Sequence, residues 1–197
     1  MARVLNTAFF NRPILKVAKE LLGCLLCRQR GKKIVRFEIT EVEAYDGPED
    51  KASHAHRGQT KRNAPMFGEA GKWYVYFTYG MHWMLNIVTG PMGYPAAVLI
   101  RGGVLSFPRR SSRRLKRKSS AHVSISGPAR LTKFLNIGKR FNNKKTSMRT
   151  GLWIEKGRRT SLKKIERTPR VGVAYAGAKW SRKPYRFVLD RDCALNR

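Results

Sequence analysis

The amino-acid sequence predicts a mixed α/β (α+β) fold, and three observations carry that expectation. Two segments place apolar residues at helical spacing, one long run alternates with the period of a strand, and several short extended runs are separated by turn residues. At 197 residues the length suits one domain, spanning 1–197, with ample room for a core.

The first helix is expected over residues 13–22, PILKVAKELL, where Ile14, Val17, Ala18, Leu21 and Leu22 share a face. Asn11 is its candidate N-cap, Pro13 suits the first turn and Gly23 suits the stop. Leu25 and Leu26 open an extended stretch, and the polar turn from Arg28 to Lys33 predicts a hairpin. Residues 34–45, IVRFEITEVEAY, alternate, so Val35, Phe37, Ile39, Glu41, Glu43 and Tyr45 are expected on one side. Two carboxylates and a tyrosine would then continue the line of an apolar face.

Residues 46–72 lack periodicity and read as a long surface loop, a length typical of functional or disordered segments. Trp73 to Val88 reads as a hairpin turning at Tyr79-Gly80, and Ala96 to Arg101 adds a third antiparallel strand. Trp73, Val75, Phe77 and Tyr79 share one parity and Tyr74, Tyr76 and Thr78 the other, so at least one aromatic side is open to being core. Residues 105–120 hold seven Arg or Lys and no acid, which predicts a basic, flexible loop tracking phosphates or, more plainly, a solvated insertion. A short helix is expected within 126–137, and short strands at 152–155, 171–175 and 185–189.

With 42 Lys and Arg against 12 acids, the net charge of +30 strains a compact state by self-repulsion, and a phosphate backbone is its natural counterpart. No apolar stretch approaches the roughly 20 residues of a membrane span. The first residues also lack a signal peptide's order, so an intracellular, soluble protein is expected. Binding to an anionic membrane ranks below nucleic acid, because the cations are spread over loops and strands. Three cysteines cannot all pair, which fits a reducing compartment. Cys24 and Cys27 have C-x-x-C spacing within LLGCLLC, but no second Cys or His pair follows. Buried small side chains are therefore expected in place of zinc.

Six of the twelve acids fall between Glu38 and Asp50. A protein facing a polyanion gains nothing electrostatically from such a cluster, so the segment serves chemistry, hydrogen bonding or local structure. The aromatic run WYVYFTY that follows is of a kind that can receive an unstacked base. Excising a base requires an extruded nucleotide, a wedge filling the gap, a gripping pocket and a group that activates water. A carboxylate serves the last need, because it accepts a proton and stabilises an oxocarbenium-like sugar.

Glu43 is the candidate base; the bland alternative pairs Glu41 or Glu43 with Arg36 or Arg101. Tyr79 beside a hairpin glycine is a candidate wedge, although most exposed tyrosines have no such role. His54 and His56 near acids suggest metal ligands of a nuclease, yet no H-x-x-x-H pair or acidic triad supports it. Asn63 and Asn86 could be ordinary turn or strand residues.

The strings TEVEAYDGPEDKASHAHRGQTKRNAPMF (40–67), WYVYFTYGMHWMLNIVT (73–89), AAVLIR (96–101), SGPARL (126–131) and RVGVAYAGAKWSRKPYRF (170–187) together resemble the alkyladenine, or 3-methyladenine, DNA glycosylase family. The likeness runs from Phe9 to Phe187 in the family's order; segment 101–104 and the basic stretch after it depart from the family pattern. It implies a single domain with a curved, mainly antiparallel sheet flanked by helices. A monofunctional enzyme is implied, without metal or cofactor, acting as a monomer on double-stranded DNA containing damaged purines. By position it implies Glu43 as the group activating water, Arg101 as a cation near that water and the target phosphate, and Tyr45, His54 and Tyr76 as the walls around a flipped base. Asn86 is implied as the pocket floor that rejects the exocyclic amine of guanine, and Tyr79 as the intercalating wedge. Two rivals remain from the residues alone: a non-catalytic basic nucleic-acid-binding protein and a metal-dependent nuclease.

Overall fold

The computed structural model describes residues 3–106, 123–157 and 164–190. Most of the basic 105–120 segment lies outside these, although Leu105 and Ser106 belong to a strand. In chain order the described residues form α1 (Thr7–Phe10), α2 (Ile14–Leu21), β1 (Leu25–Arg30), β2 (Lys33–Asp46), β3 (Trp73–Thr78), β4 (His82–Val88), β5 (Ala96–Ser106), β6 (Ser124–Ser126), α3 (Pro128–Leu135), β7 (Leu152–Glu155), β8 (Ile165–Thr168), α4 (Ala178–Ser181) and β9 (Arg186–Leu189).

Every ladder among the described residues is antiparallel, and the main path runs β3-β4-β5-β2-β1-β7, in keeping with the expected mixed α/β fold and its mainly antiparallel sheet. The path curls so far that its two ends meet: the Trp73 indole N–H on β3 donates to the Leu152 carbonyl on β7 at 3.2 Å. Inside the curl, α2 packs on β2 and β5 while α3 packs on β4 and β5. The α2 face works because Ile14, Val17, Ala18 and Leu21 fall at i, i+3, i+4 and i+7, and all four are buried. Each fully buried large aliphatic contributes about 1.5–3 kcal/mol. No helix of the described residues is long and apolar enough to cross a membrane.

Asn11 does not cap α2. Pro13 occupies the N-cap without a side-chain bond, since a residue preceding proline is pushed out of helical geometry and the helix cannot begin earlier. The capping asparagine is Asn6, whose Oδ1 accepts the Phe9 N–H at the start of α1. Cys24 and Cys27 are buried thiols, each donating to a backbone carbonyl. The expected strand at 171–175 is a turn followed by a 3-10 helix over Ala174–Ala176. Gly172 at φ 75° bends the chain, and the ladder position along β2 is already taken by β9.

The main departure lies in β2. Ile39 pairs with Gly103 and Glu41 with Gly102, leaving Thr40 as an extra residue; Glu41 pairs with Gly102 and Val42 with Ile100, leaving Arg101 extra on β5. Each bulge moves the following side chains to the opposite face. Phe37 and Ile39 reach the main core before the bulge, and Val42 and Ala44 reach it afterwards. Glu41, Glu43 and Tyr45 therefore do not continue the apolar line, but point to the outer face beside Arg101.

Gly102 and Gly103 belong to β5, which runs on to Ser106 instead of ending at Arg101. A Cβ on Gly103 would lie 2.1 Å from the Glu38 carbonyl oxygen. The glycine there permits the close strand approach next to the bulge.

Candidate active site

The outer face of the sheet is covered by residues 47–72 and 170–181, and the site lies between these two covers. Asn63 holds the first in shape: its Oδ1 accepts the Thr60 N–H at 2.7 Å, and its Nδ2 donates to the His54 and Gly58 carbonyls at 2.8 and 2.9 Å. This buried amide thus ties residues 54, 58 and 60 of a long segment together. Beneath it, Tyr74, Met66, Val88 and Ala97 form a small second core with Ala55. The two parities of β3 divide accordingly, Trp73 and Val75 entering the main core and Tyr74 and Tyr76 facing the site.

The second cover is fastened by an ion pair that sequence reasoning missed. Arg170 and Asp50 are both fully buried, and the guanidinium engages both carboxylate oxygens, with Nη2 to Oδ1 at 2.8 Å. Arg170 also donates to the Ala44 carbonyl at 2.8 Å and lies 4.8 Å from the centre of the Tyr45 ring. Asp50 accepts the Asp46 and Ala52 N–H groups at 3.1 Å each. Burial alone would lower the Arg170 pKa, but its bonds to Asp50 hold it above its ordinary value. Asp50 belonged to the acid cluster and Arg170 to the RVGV string, yet nothing in their spacing joins residues 120 positions apart.

Glu43 is completely buried. Its Oε2 accepts the Tyr45 hydroxyl at 3.0 Å and lies 3.3 Å from Arg101 Nη1, while Oε1 accepts the Val171 N–H at 2.8 Å. An ionised carboxylate offers about four acceptor positions. Three are occupied, and one on Oε1 remains for a further donor. Glu41, on the same face, shares Oε1 between Arg101 Nε at 2.7 Å and Arg186 Nε at 2.8 Å. Burial pushes the Glu41 pKa up, but the bonds from Arg186 and Arg101 outweigh it and hold the carboxyl below its usual range. Arg101, lowered by burial, is raised overall by Glu43 and Glu41. The bland pairing of the two glutamates with Arg101 is therefore present, whereas Arg36 pairs with Glu155.

Tyr45 links this carboxylate group to a slot of about 50 Å³ lined by Tyr45, His54, Tyr74, Tyr76, Asn86 and Tyr175, among others. Burial, then the neighbouring Glu43, pushes the Tyr45 pKa well above the phenol range, and burial pushes Tyr76 up to about 12. His54 stands with its ring 4.6 Å from Tyr76, nearly perpendicular, and its Nδ1 is 3.0 Å from the Tyr74 hydroxyl. Burial and the nearby Arg62 lower the His54 pKa, favouring the neutral ring. Asn86 is buried at the slot and donates its amide to the Tyr74 carbonyl at 3.1 Å.

At about 50 Å³ the slot is narrower than small-molecule pockets, which hold about 300 Å³ or more. Its most exposed wall is Tyr175, 69% accessible and tied by its hydroxyl to the Ala52 carbonyl at 3.0 Å. No sequence signal marked that tyrosine. Tyr79 stands apart from the slot at the tip of the β3–β4 hairpin, 84% exposed, with Met81 beside it 67% exposed. Its φ of 51° is unusual for a residue with a Cβ and raises the ring clear of the strands.

The structure thus brings Glu43, Arg101 and Tyr45 into one hydrogen-bonded group, places Tyr45, His54, Tyr76 and Asn86 around one slot, and sets Tyr79 at an exposed tip. Glu43 stands one hydrogen bond behind the slot and does not line it. His56 is turned away, its Nδ1 2.9 Å from the Pro48 carbonyl.

The family model for methylpurine-DNA glycosylase matches residues 8–193. A protein of Methanocella arvoryzae is 43% identical over 93% of this chain and 91% of its own length. Relatives from Carboxydothermus hydrogenoformans and Streptomyces avermitilis are 41% and 39% identical, over 96% and 95% of this chain and 96% and 88% of their own. Each of the three is named "Putative 3-methyladenine DNA glycosylase".

Proposed function

The chain belongs to the methylpurine-DNA glycosylase family, and from that premise we propose that it is a monofunctional 3-methyladenine DNA glycosylase. In this reading it acts as a single-domain monomer on duplex DNA, on purines of the 3-methyladenine, 7-methylguanine and hypoxanthine type. The damaged nucleotide leaves the stack, Tyr79 fills the gap it vacates, and the base enters between Tyr45, Tyr76 and His54. Entry requires these rings to part. Tyr175, held by one hydrogen bond at the solvent side, is the wall with least to lose in moving.

Water held on the remaining acceptor position of Glu43 Oε1 attacks C1′ of the sugar. As the new C–O bond forms, the C1′–N9 bond breaks and its electron pair leaves with the base. The water proton passes to Glu43, giving an abasic site. Arg101 contributes positive charge beside the Glu43 carboxylate, 3.3 Å from its Oε2. Whereas hypoxanthine leaves as an anion that takes up a proton from solvent, an N-alkylated purine carries positive charge already, so it leaves as a neutral base and needs little acid assistance. That same charge favours the electron-rich tyrosine faces, an attraction of about 0.5–2 kcal/mol. The lowered His54 pKa supports the reading, because a neutral imidazole does not repel the cation.

The observation that carries the proposal is the Glu43 carboxylate hydrogen-bonded to Tyr45, itself a wall of the slot. It is tested by single-turnover release of base, in chelator, from duplexes each holding one lesion. The wild type should free the base and leave strands intact until alkali is added. Glu43→Gln should lose about 10²–10⁴-fold, the usual contribution of a positioned general base, with duplex affinity unchanged. Full release by that variant would refute the role. Binding without any release would favour the non-catalytic alternative, and strand cleavage abolished by chelator would favour a nuclease.

A further inference from the structure

A second concavity, larger than the slot and sharing none of its lining residues, lies where the end of β1 meets the C-terminus of α3 and the segment 140–151. Its volume is about 670 Å³. Arg28, Arg30, Arg140, Lys144 and Arg149 line it, with no carboxylate among its described lining residues. Elsewhere the protein spends its scarce acids beside arginines, as at Glu41, Asp50 and Glu155. Here it spends none.

Arg28 makes the point most sharply. It is 4% exposed, and among the described residues its guanidinium is held by neutral groups only: the Leu135 carbonyl at 3.2 Å, the Gly151 carbonyl at 3.1 Å, the Gln29 carbonyl, and the Phe141 ring centred 4.8 Å away. Arg140 lies over the same ring at 4.9 Å. Two guanidiniums on one aromatic ring with further cations around them repel one another, and an anion in the groove relieves that repulsion. Burial, then Arg140 and Arg30, lowers the Arg28 pKa, in keeping with a site short of negative charge.

The chemistry of the groove separates it from the slot. Phe141 is buried, so its ring cannot receive a base, and the four exposed cations are spaced along an open concavity. Point charges without an accessible aromatic suit a run of phosphates, not a nucleobase. We propose that this groove is a second DNA-binding site, which holds the phosphodiester backbone of an undamaged duplex segment while the slot engages another.

The test starts from the protein saturated with a lesion-bearing duplex, so that the slot is occupied, and titrates in a fluorescent undamaged 12-base-pair duplex. The complex should bind this second duplex, and the triple variant Arg140→Gln, Lys144→Gln, Arg149→Gln should bind it at least about tenfold more weakly through lost phosphate contacts. All three side chains are exposed and their removal relieves mutual repulsion, so thermal unfolding should lie at or above that of the wild type. Base release by the variant should stay within about twofold, which separates a failure here from a failure of the slot reading. Equal binding by both proteins, or no second duplex on the wild type, overturns the proposal. So does one-to-one, variant-sensitive binding of tripolyphosphate without duplex binding, which would make the ligand a free polyphosphate.

Discussion

The two halves of β2 have similar alternation but opposite outcomes. In residues 33–39 the odd-numbered side chains Phe37 and Ile39 build the core; in residues 41–46 the even-numbered Val42 and Ala44 do so, and the odd-numbered Glu41, Glu43 and Tyr45 build the site. One extra residue, Thr40, separates the two regimes. The paired extra residue on β5, Arg101, is the cation that meets both carboxylates. A bulge here delivers charged groups to a face where partners await them, and without it they would enter an apolar core.

Deleting Thr40 should therefore have the largest effect. It would turn Glu41 and Glu43 inward without partners, at a cost of several kcal/mol per ion, against a total stability of about 5–15 kcal/mol. No cooperatively folded protein should be recovered, by circular dichroism and gel filtration. A folded, active deletion variant would mean that the bulge does not set the facing of these residues.

Next comes the contrast between the two glutamates themselves. While Glu43→Gln should remove base release, Glu41→Gln should act on stability, losing about 2–3 kcal/mol in urea melts. That is less than the roughly 3–5 kcal/mol for breaking a wholly buried pair, because Arg186 is partly exposed. Since the folded pKa of Glu41 lies below its ordinary 4.5, its contribution is fully present above about pH 4.5 and is lost as the pH falls through the folded value. The acid side of the stability curve should be shallower in Glu41→Gln than in the wild type. Equal slopes would show that Glu41 titrates alike folded and unfolded.

Gly103→Ala probes the same junction from β5. Its Cβ would overlap the Glu38 carbonyl, so the strands must separate, and a loss of about 1–3 kcal/mol is expected from overpacking. An unchanged melting temperature would remove the close-approach argument for this glycine. The smallest effect is one of selectivity: Asn86→Ala, by removing a buried amide from the slot, should raise release of guanine while leaving 7-methylguanine release within a few-fold. Unaltered guanine release would show that Asn86 does not discriminate.

Much of this architecture was legible from periodicity. The α2 face, the β3–β4–β5 meander and α3 could be read because their residues repeat at the spacing of the element they form. The short strands β6 and β8 were not readable, since three or four residues carry no period and pairing alone makes them strands. Among the candidate site residues, Glu43, Tyr45, His54, Tyr76, Tyr79, Asn86 and Arg101 are legible in the sequence, chiefly through the family resemblance. Asp50, Arg170 and Tyr175 are not, because their partners lie more than a hundred positions away.

By itself the sequence determined composition and local pattern: a strongly cationic chain, an acid-rich strand, an aromatic hairpin and the helices that bury their apolar faces. Those follow from charge count and from the 3.6- and 2-residue periods, which are properties of neighbouring residues. Only the tertiary structure decided which way the acids face, what fastens the covers over the slot, and where the unpaired cations gather. Facing on β2 depends on a register set by the partner strand, and ion pairs depend on distances between remote segments. Neither quantity is written in the order of adjacent side chains.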